Sequence, residues 1–365
     1  DHVTHLGLGR TASGELIART LPGEVVEVDG GAVRIVTPSA QRVAAPCRHF
    51  KSCGGCAMQH ASDGFVSGWK AGIVLKALQN QGLAAEIAGV ATSPPQSRRR
   101  AKLSGRKTKG GALVGFHARG SDQIVAVPDC RILSPALLAT LPALERLTQM
   151  AASRSAEVGL TVTQSLAGPD ISVDTDRPLT RDLREEIARW AEDNRIARLV
   201  WAGEQVAMRA PPVQRFGRAD VVPPPGAFLQ ATWQGEASLL AQVQAITAGA
   251  RRVADLFAGC GTFTLPLAER AEVHAVEGDA AMLAALDRGW RHAGGLSRVT
   301  SETRDLFRRP LLPDELARFD AVVLDPPRAG AEAQVTEIAR SDIRVVAMVS
   351  CNPVTFARDA RLLAA

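Results

Sequence analysis

The sequence contains no tyrosine, and aromatic residues make up only 4% of it. Stacking against a nucleobase must therefore come from phenylalanine, tryptophan, histidine or arginine. No apolar run approaches about 18 residues, the length that a membrane-spanning helix requires. A basic-then-apolar leader is also missing, although the chain starts at Asp1 without a methionine, so we expect the natural protein to begin earlier. We expect a cytoplasmic protein of two or three domains without a membrane partner, and we take it to be a monomer.

Cysteine is scarce, with six in 365 residues, which excludes the disulfide framework of a small secreted domain. Three of the six, Cys47, Cys53 and Cys56, nevertheless lie within ten residues of one another. In an intracellular chain such crowding favours ligation of a metal or a cluster over disulfides. The spacing is compatible with structural zinc and with an iron–sulfur cluster, because both accept four thiolates.

Acidic residues are missing from one segment, between Ile87 and Ser121, in a chain whose net charge is +5. The basic residues of this segment are Arg98, Arg99, Arg100, Lys102, Arg106, Lys107, Lys109 and Arg119. Such a run is either a solvated face or a patch that contacts nucleic-acid phosphates and releases their counterions. Our candidates for phosphate contacts are Arg98, Arg99, Arg100, Lys102 and Arg106.

Three domains are predicted. Residues 1–42 alternate short β-prone runs with glycine and proline turns, which is typical of part of a small β-barrel. Residues 43–225 contain the cysteine loop and then mix strands with helices near 66–82, 134–152 and 180–194. The proline-rich run 223–226 marks a boundary. In residues 226–365 strands alternate with helices, which predicts an α/β fold with a parallel, doubly wound sheet. The strands are expected at 252–257, 272–277, near 299, at 319–324 and at 344–349, and the helices at 236–248, 262–270 and 280–293.

A glycine turn follows the first of these parallel strands, and ligands of such sheets bind at the carboxyl ends of strands. Gly259 and Gly261 let the backbone approach a ligand, although a plain strand–helix turn has the same sequence pattern. Glu277 lies 22 positions after Asp255, where a carboxylate can accept hydrogen bonds from ribose hydroxyls. Thr264 replaces the third glycine of the dinucleotide fingerprint. The turn therefore favours a ligand without a pyrophosphate, such as S-adenosylmethionine.

Three more features follow the later strands. Asp305 is either a surface acid or a partner for an adenine amino group. Asp325 ends an apolar strand and precedes two prolines, which fix the turn and the direction of the carboxylate. Cys351 lies at the end of the next strand between Ser350 and an Asn-Pro turn, which favours an exposed, reactive thiol over a buried core cysteine. Cys260, which lies between two glycines, is interpreted as structural.

Taken together, these motifs resemble the RNA (uracil-5-)-methyltransferase family, in particular its iron–sulfur branch that acts on 23S ribosomal RNA. The resemblance covers nearly the whole chain. It is carried by Leu21-Pro22-Gly23-Glu24, by Cys47-x5-Cys53-Gly54-Gly55-Cys56 with Gln59-His60 and Cys130, by Phe228-Leu229-Gln230, by the turn 255–262, by Asp325-Pro326-Pro327-Arg328 and by Ser350-Cys351-Asn352-Pro353.

The resemblance implies a role for each motif. The N-terminal barrel resembles the RNA-binding domain called TRAM. By similarity, a 4Fe–4S cluster is expected on Cys47, Cys53, Cys56 and Cys130. The S-adenosylmethionine site is expected to include Gln230, Phe257, Gly259, Gly261, Thr262, Glu277, Asp305 and Asp325. Cys351 is expected to be the nucleophile, with Asp325 as the second catalytic residue. Thr262 stands where relatives often carry asparagine, and it keeps a hydrogen-bonding group.

One family feature is missing from the sequence. Relatives place a proton-abstracting glutamate beyond the nucleophile, and this chain ends at Ala365 before that position. We therefore expect this stretch of chain to form a covalent adduct with RNA but to turn over slowly. Three alternatives stay open: the same chemistry on transfer RNA, methylation of cytosine carbon 5 or of an amino group, and a non-catalytic RNA-binding protein whose four cysteines hold a metal.

Overall fold

The N-terminal strands form two small antiparallel sheets. The computed structural model describes residues 1–153 and 156–364. The first strands are β1 (His2–Val3), β2 (Leu8–Arg10), β3 (Leu16–Ala18), β4 (Val25–Asp29) and β5 (Ala32–Thr37). β1, β2 and β3 form one sheet, and β4 pairs with β5 in a separate hairpin whose valines are mostly exposed. The predicted barrel segment is thus present as two sheets, since no hydrogen-bonded ladder in the described residues joins the hairpin to the first three strands.

The central part of the chain is a seven-stranded sheet with helices on one face. Its elements are α1 (Asp63–Asn80), β6 (Arg100–Thr108), β7 (Gly111–His117), β8 (Ile124–Ala126), α2 (Pro135–Ala151), β9 (Glu157–Ser165), β10 (Gly168–Asp174), α3 (Arg181–Asp193), β11 (Arg198–Trp201) and β12 (Glu204–Met208). The strand order is β12-β11-β10-β9-β6-β7-β8. Leu144 of α2 and Ile187 of α3 pack with Leu160 and Ile171 in one apolar core. Alternation along β6 places Lys102 on the opposite face, which is solvated.

The predicted helices of this region are present with shifted ends. Each begins after a serine or threonine whose hydroxyl accepts a hydrogen bond from the first helical turn: Ser62 for α1, Ser134 for α2 and Thr180 for α3.

The C-terminal part contains a five-stranded, fully parallel sheet. Its elements are β13 (Gln214–Phe216), β14 (Ala219–Val221), α4 (Trp233–Ile246), β15 (Arg252–Leu256), α5 (Thr264–Leu267), β16 (Glu272–Glu277), α6 (Ala280–His292), β17 (Val299–Thr303), α7 (Pro313–Leu316), β18 (Ala321–Leu324), α8 (Glu332–Ala339), β19 (Val346–Met348) and α9 (Pro353–Leu363). The strand order is β17-β16-β15-β18-β19. One apolar core lies on each face of this sheet, so the central strands are buried on both sides.

The α/β prediction is confirmed by this sheet, and one local detail differs. The helix expected at 262–270 is a single turn, because the chain leaves it through a further tight turn, in which the Arg270 N–H donates to the Leu267 carbonyl at 3.0 Å, and begins β16 at Glu272. Helix α1, which precedes the central sheet in sequence, packs against α9 of the C-terminal part. In the part of the chain that the structure describes, no helix is long and apolar enough to cross a bilayer.

Candidate active site at the carboxyl edge of the parallel sheet

The parallel strands bring the predicted site residues to one edge. Leu256 of β15 pairs with Leu324 of β18, and Leu324 pairs with Met348 of β19. Each of these residues is at or near the carboxyl end of its strand. The glycine turn, Asp325 and the Cys351 turn therefore begin side by side.

The turn after β15 has a left-handed backbone at three positions. Phe257 has a φ of 63°, Gly259 of 56° and Gly261 of 92°. A Cβ built on Gly259 would meet nothing closer than the Met282 sulfur at 4.0 Å, so Gly259 faces open space. A Cβ on Gly261 would instead approach carbon atoms of Leu265 at 3.0 Å and of Leu286 at 2.9 Å. Gly259 thus leaves room for a ligand, whereas Gly261 allows the turn to pack on the helices behind it.

Glu277 holds the turn from the next strand. One carboxylate oxygen accepts a hydrogen bond from the Gly259 backbone N–H at 2.9 Å, and the other accepts from the Asp279 N–H at 3.0 Å. Farther along the edge, the exposed carboxylate of Asp305 accepts from the Phe307 N–H at 3.0 Å. The Phe307 and Phe257 rings lie with their centroids 5.5 Å apart. Carboxylates and aromatic rings therefore line the open side of the turn, and Thr262 is half-buried behind it.

Asp255 is a buried acid that sequence reasoning used only as the reference point for Glu277. Its side chain is fully buried, and the Thr264 hydroxyl donates a hydrogen bond to its Oδ2. The pKa of Asp255 is raised to about 7, first by burial and also by the carboxylates of Asp325 and Glu277, against the lowering effect of hydrogen bonds from Thr264. Its position on an apolar strand was the only sequence signal for this behaviour.

Asp325 is the acid at the end of β18. Burial raises its pKa to about 6. The Gln230 side-chain amide lies 3.5 Å from its Oδ2, at the long limit for a hydrogen bond. Gln230, although distant in sequence, is therefore at the same edge as the two strand-end acids.

Cys351 has an exposed thiol. The turn that carries it is fastened to the Asp325 loop, because the Asn352 amide and the Thr355 hydroxyl each donate to the Arg328 carbonyl at 3.1 Å. Asn352 also caps α9 by accepting from the Val354 N–H at 3.0 Å. Cys351 thus directly precedes the amino end of an eleven-residue helix, where the helix dipole favours negative charge.

The predicted basic patch divides into several environments. Arg99 differs from the prediction, since its side chain is fully buried and forms an ion pair with Glu236. Arg106 is half-buried and pairs with Glu157 at 3.2 Å. Arg98, Arg100 and Lys102 line the cysteine cavity, and Lys102 is exposed. Arg99 is therefore not a surface cation.

Arg99 connects the central sheet to the carboxyl edge of the parallel sheet. Its Nε donates to the Gln230 carbonyl at 3.1 Å, and its guanidinium lies 4.7 Å from the centre of the Trp233 ring. Its backbone N–H donates to the Ala231 carbonyl at 2.9 Å. Because the Gln230 side chain reaches Asp325, Arg99 fixes the segment that lies between the two domains.

Four cysteines line one cavity of about 290 Å³: Cys47, Cys53, Cys56 and Cys130. Backbone N–H groups of Gly55 and Ile132 point at the sulfurs of Cys53 and Cys130, at 3.4 and 3.5 Å. Within residues 1–153 and 156–364, no three cysteine, histidine, aspartate or glutamate side chains are arranged to hold a single metal ion. The four thiols thus share a cavity without forming a compact mononuclear site.

Two curated relatives and one solved structure illustrate what the chain is similar to. An uncharacterized RNA methyltransferase of Brucella suis is 42% identical over 363 residues, covering 98% of this chain and 88% of the relative. The 23S rRNA (uracil(1939)-C(5))-methyltransferase RlmD of Halomonas elongata is 34% identical, covering 98% and 80%. The Pyrococcus abyssi tRNA (uracil-54, C5)-methyltransferase, crystallised with S-adenosyl-L-homocysteine, has a TM-score of 0.71 at 20% identity, covering 95% of this chain and 88% of that one. No protein-family model matches. The structural likeness shows a shared fold.

Proposed function

The chain belongs to the family of RNA methyltransferases that includes 23S rRNA (uracil-C5)-methyltransferases, and from this premise we propose that it methylates carbon 5 of a uridine in RNA with S-adenosylmethionine as methyl donor. The observation that carries the proposal is the exposed Cys351 thiol, fastened to the Asp325 loop beside an open glycine turn. Methylation of an amino group does not need a thiol at this place.

The proposed chemistry starts at the thiol, because carbon 5 of uracil is a weak nucleophile in the intact ring. The Cys351 thiolate adds to carbon 6, and the electrons of the 5,6 double bond move into an enolate. The enolate carbon 5 then forms a bond to the methyl group as the methyl–sulfur bond of the donor breaks, which leaves a neutral thioether, and a base removes the carbon 5 proton. The carbon 6–sulfur bond breaks, which restores the double bond and the thiolate. Covalent catalysis of this kind divides one difficult step into easier ones, and the uridine must leave its stack to be reached.

The cofactor site is proposed at the glycine turn, where S-adenosylmethionine, when bound, supplies an electrophilic methyl group. The open space at Gly259 and the Glu277 carboxylate fit a nucleoside without a phosphate. Phe257, Thr262, Asp305, Asp325 and Gln230 complete the proposed set. Gly261 contributes through the shape of the turn, since its Cα faces leucine side chains.

We also propose that the four cysteines hold a 4Fe–4S cluster. Such a cluster has a different iron for each thiolate, so its ligands surround a cavity instead of meeting at one ion. The shared cavity, the two N–H donors to sulfur and the adjoining Arg98 and Arg100 support this assignment. The cluster would stabilise the loop that lies beside the substrate face.

A ribosomal substrate is proposed over transfer RNA, because the Halomonas elongata relative is named for 23S rRNA and the cysteine motif resembles that branch. Lys102, exposed on the solvated face of the central sheet, and Arg98 and Arg100 beside it are the proposed phosphate contacts. Arg99 is left out of this set because it is buried.

The test is mass mapping of 5-methyluridine in 23S rRNA and transfer RNA from cells that lack the protein. Loss of one 5-methyluridine from 23S rRNA is expected, with recovery on re-expression of wild type or of Cys260→Ala but not of Cys351→Ala. Loss of the modification only from transfer RNA contradicts the ribosomal substrate. Recovery with Cys351→Ala, or loss of a methylated cytidine or amino group instead, contradicts the proposed chemistry.

A further inference from the structure

Three carboxylates lie at the ends of adjacent parallel strands: Asp255 on β15, Glu277 on β16 and Asp325 after β18. Among the described residues, none of the three forms an ion pair with lysine, arginine or histidine. Asp255 Oδ2 accepts from Thr264, whereas Oδ1 is buried without a hydrogen-bond partner. A buried carboxylate oxygen without a partner is costly and calls for an explanation. The carboxylates at this edge therefore lack a positively charged partner.

The surroundings of Asp255 increase this need. Glu277 and Asp325 are the charged groups that act on it from the flanking strands, and both raise its pKa beyond the effect of burial. Asp279, at the start of α6, adds another acid near the turn. Arg99, which donates to the Gln230 carbonyl, is already paired with Glu236. The edge therefore becomes more strongly negative as Asp255 and Asp325 lose their protons.

The two forms of the cofactor differ in just this respect. S-adenosylmethionine carries a sulfonium cation, and its product S-adenosylhomocysteine has a neutral thioether. Resting on the proposed function, we propose that Asp255, together with Asp325, selects the charged cofactor over its neutral product. The carboxyl groups give up a proton to solvent when the cation binds, and they take one up again when the neutral product remains. No electrons are exchanged, and the leaving and returning protons balance. Asp255 is a positioning residue in this scheme, since it acts on the cofactor through the field at the site.

The sign of the pH effect follows from the charge. A cation favours the ionised carboxylates, so its affinity rises as pH rises through their titration. A neutral thioether gains nothing from that ionisation. The preference for S-adenosylmethionine over S-adenosylhomocysteine should therefore grow about tenfold between pH 6 and 8, the change that one pKa unit of coupling produces.

The experiment is titration calorimetry of the wild-type protein with each compound, over about pH 5.5 to 8.5 and in buffers of different ionisation enthalpy. Release of up to one proton is expected on binding of S-adenosylmethionine near pH 6.5, and less on binding of S-adenosylhomocysteine. Asp255→Asn should flatten the pH dependence of the preference. Thr264→Val keeps the carboxylate but removes its hydrogen-bond donor, so the same rise should move to higher pH. Asp342→Asn, at an exposed acid outside the proposed cofactor site, should leave the pH dependence unchanged.

A pH-independent preference with equal proton release for both compounds overturns the inference. The inference is also overturned if the preference of Asp255→Asn depends on pH as strongly as that of the wild type. If that variant does not fold, the proton count of the wild-type protein decides alone. Failure of both compounds to bind overturns the proposed function as well. Binding of both compounds without the pH-dependent preference overturns only the role of Asp255.

Discussion

Asp255 is the residue whose chemistry depends most on its surroundings. The sequence placed it on the strand before the glycine turn, and burial between two other acids was visible only in three dimensions. Cys351 and Glu277, in contrast, were predicted as site residues because each follows an apolar strand of a parallel sheet. Strand-end positions can be predicted from periodicity, whereas protonation depends on neighbours contributed by distant segments. Arg99 shows the same limit, because nothing in a basic run indicates which cation is buried against Glu236.

Asp255 also predicts a pH dependence of stability in the absence of ligand. Its pKa in the folded state is about 7, above the ordinary value of 3.8, so the folded state holds a proton that the unfolded chain has lost. This contribution is fully present below the unfolded pKa and is lost as pH rises through the folded one. Asp255 should therefore lower the free energy of unfolding by about 2 kcal/mol between pH 5.5 and 8, against the opposite contribution of His60 and His274, whose pKa values burial lowers. Asp325 has the same sign, with a folded pKa of about 6.

Urea denaturation at several pH values measures this slope. Asp255→Asn should reduce it, and Asp305→Asn should not. An equal slope in the wild-type protein and in Asp255→Asn would show that Asp255 is ionised in the folded protein throughout.

At the scale of elements, the parallel sheet followed from strand–helix alternation, and the β-barrel of residues 1–42 did not appear as one sheet. Alternating β-prone runs predict strands but not which strands pair, since pairing depends on register and on what covers each face. The sequence predicts only part of the cysteine cavity. Cys47, Cys53 and Cys56 are close in sequence, whereas Cys130 joins them only because the chain returns after β8.

The buried pair Arg99–Glu236 connects the start of β6 to α4 and gives a prediction for this junction. Glu236→Gln should destabilise the protein by about 3 to 5 kcal/mol, because it leaves the Arg99 charge buried without a partner. The double variant Arg99→Met with Glu236→Leu should recover much of the stability by replacing the pair with apolar side chains. Thermal denaturation measures both.

Cofactor affinity separates stability from positioning in the same variants. The double variant should bind S-adenosylmethionine more weakly than the wild type even where its stability is recovered, since the hydrogen bond from Arg99 to the Gln230 carbonyl is lost. Affinity equal to that of the wild type would mean that Arg99 serves stability alone.

The cysteine loop gives a prediction for metal content. Protein purified without oxygen should contain about four iron atoms and absorb near 400 nm. Cys53→Ser should lower the iron content, and Cys260→Ala should not, because Cys260 is buried in the core of the parallel sheet. Stoichiometric zinc without iron would favour the structural zinc alternative.

At the scale of the whole molecule, the solvated face of the central sheet and the edge that carries Cys351 are joined through Arg99 and Gln230. Helix α1 packs against α9, so an early segment supports the helix that starts beside Cys351. Sequence patterns could not predict this long-range contact, because nothing in the sequence of α1 indicates which helix it packs against. Under the proposed function, the central domain would contact the RNA and the C-terminal domain would modify it.

Covalent trapping on 23S rRNA transcribed with 5-fluorouridine tests whether Cys351 attacks the uracil ring. In 5-fluorouridine, fluorine replaces the carbon 5 proton that a base would remove after methyl transfer. Elimination therefore stalls, and the cysteine stays attached to carbon 6. Digestion and mass spectrometry should find one peptide that contains Cys351 joined to a methylated fluorouridine, and Cys351→Ala should give no adduct. Methyl transfer to this RNA without any protein–RNA adduct, or an adduct on a different cysteine, would contradict the account.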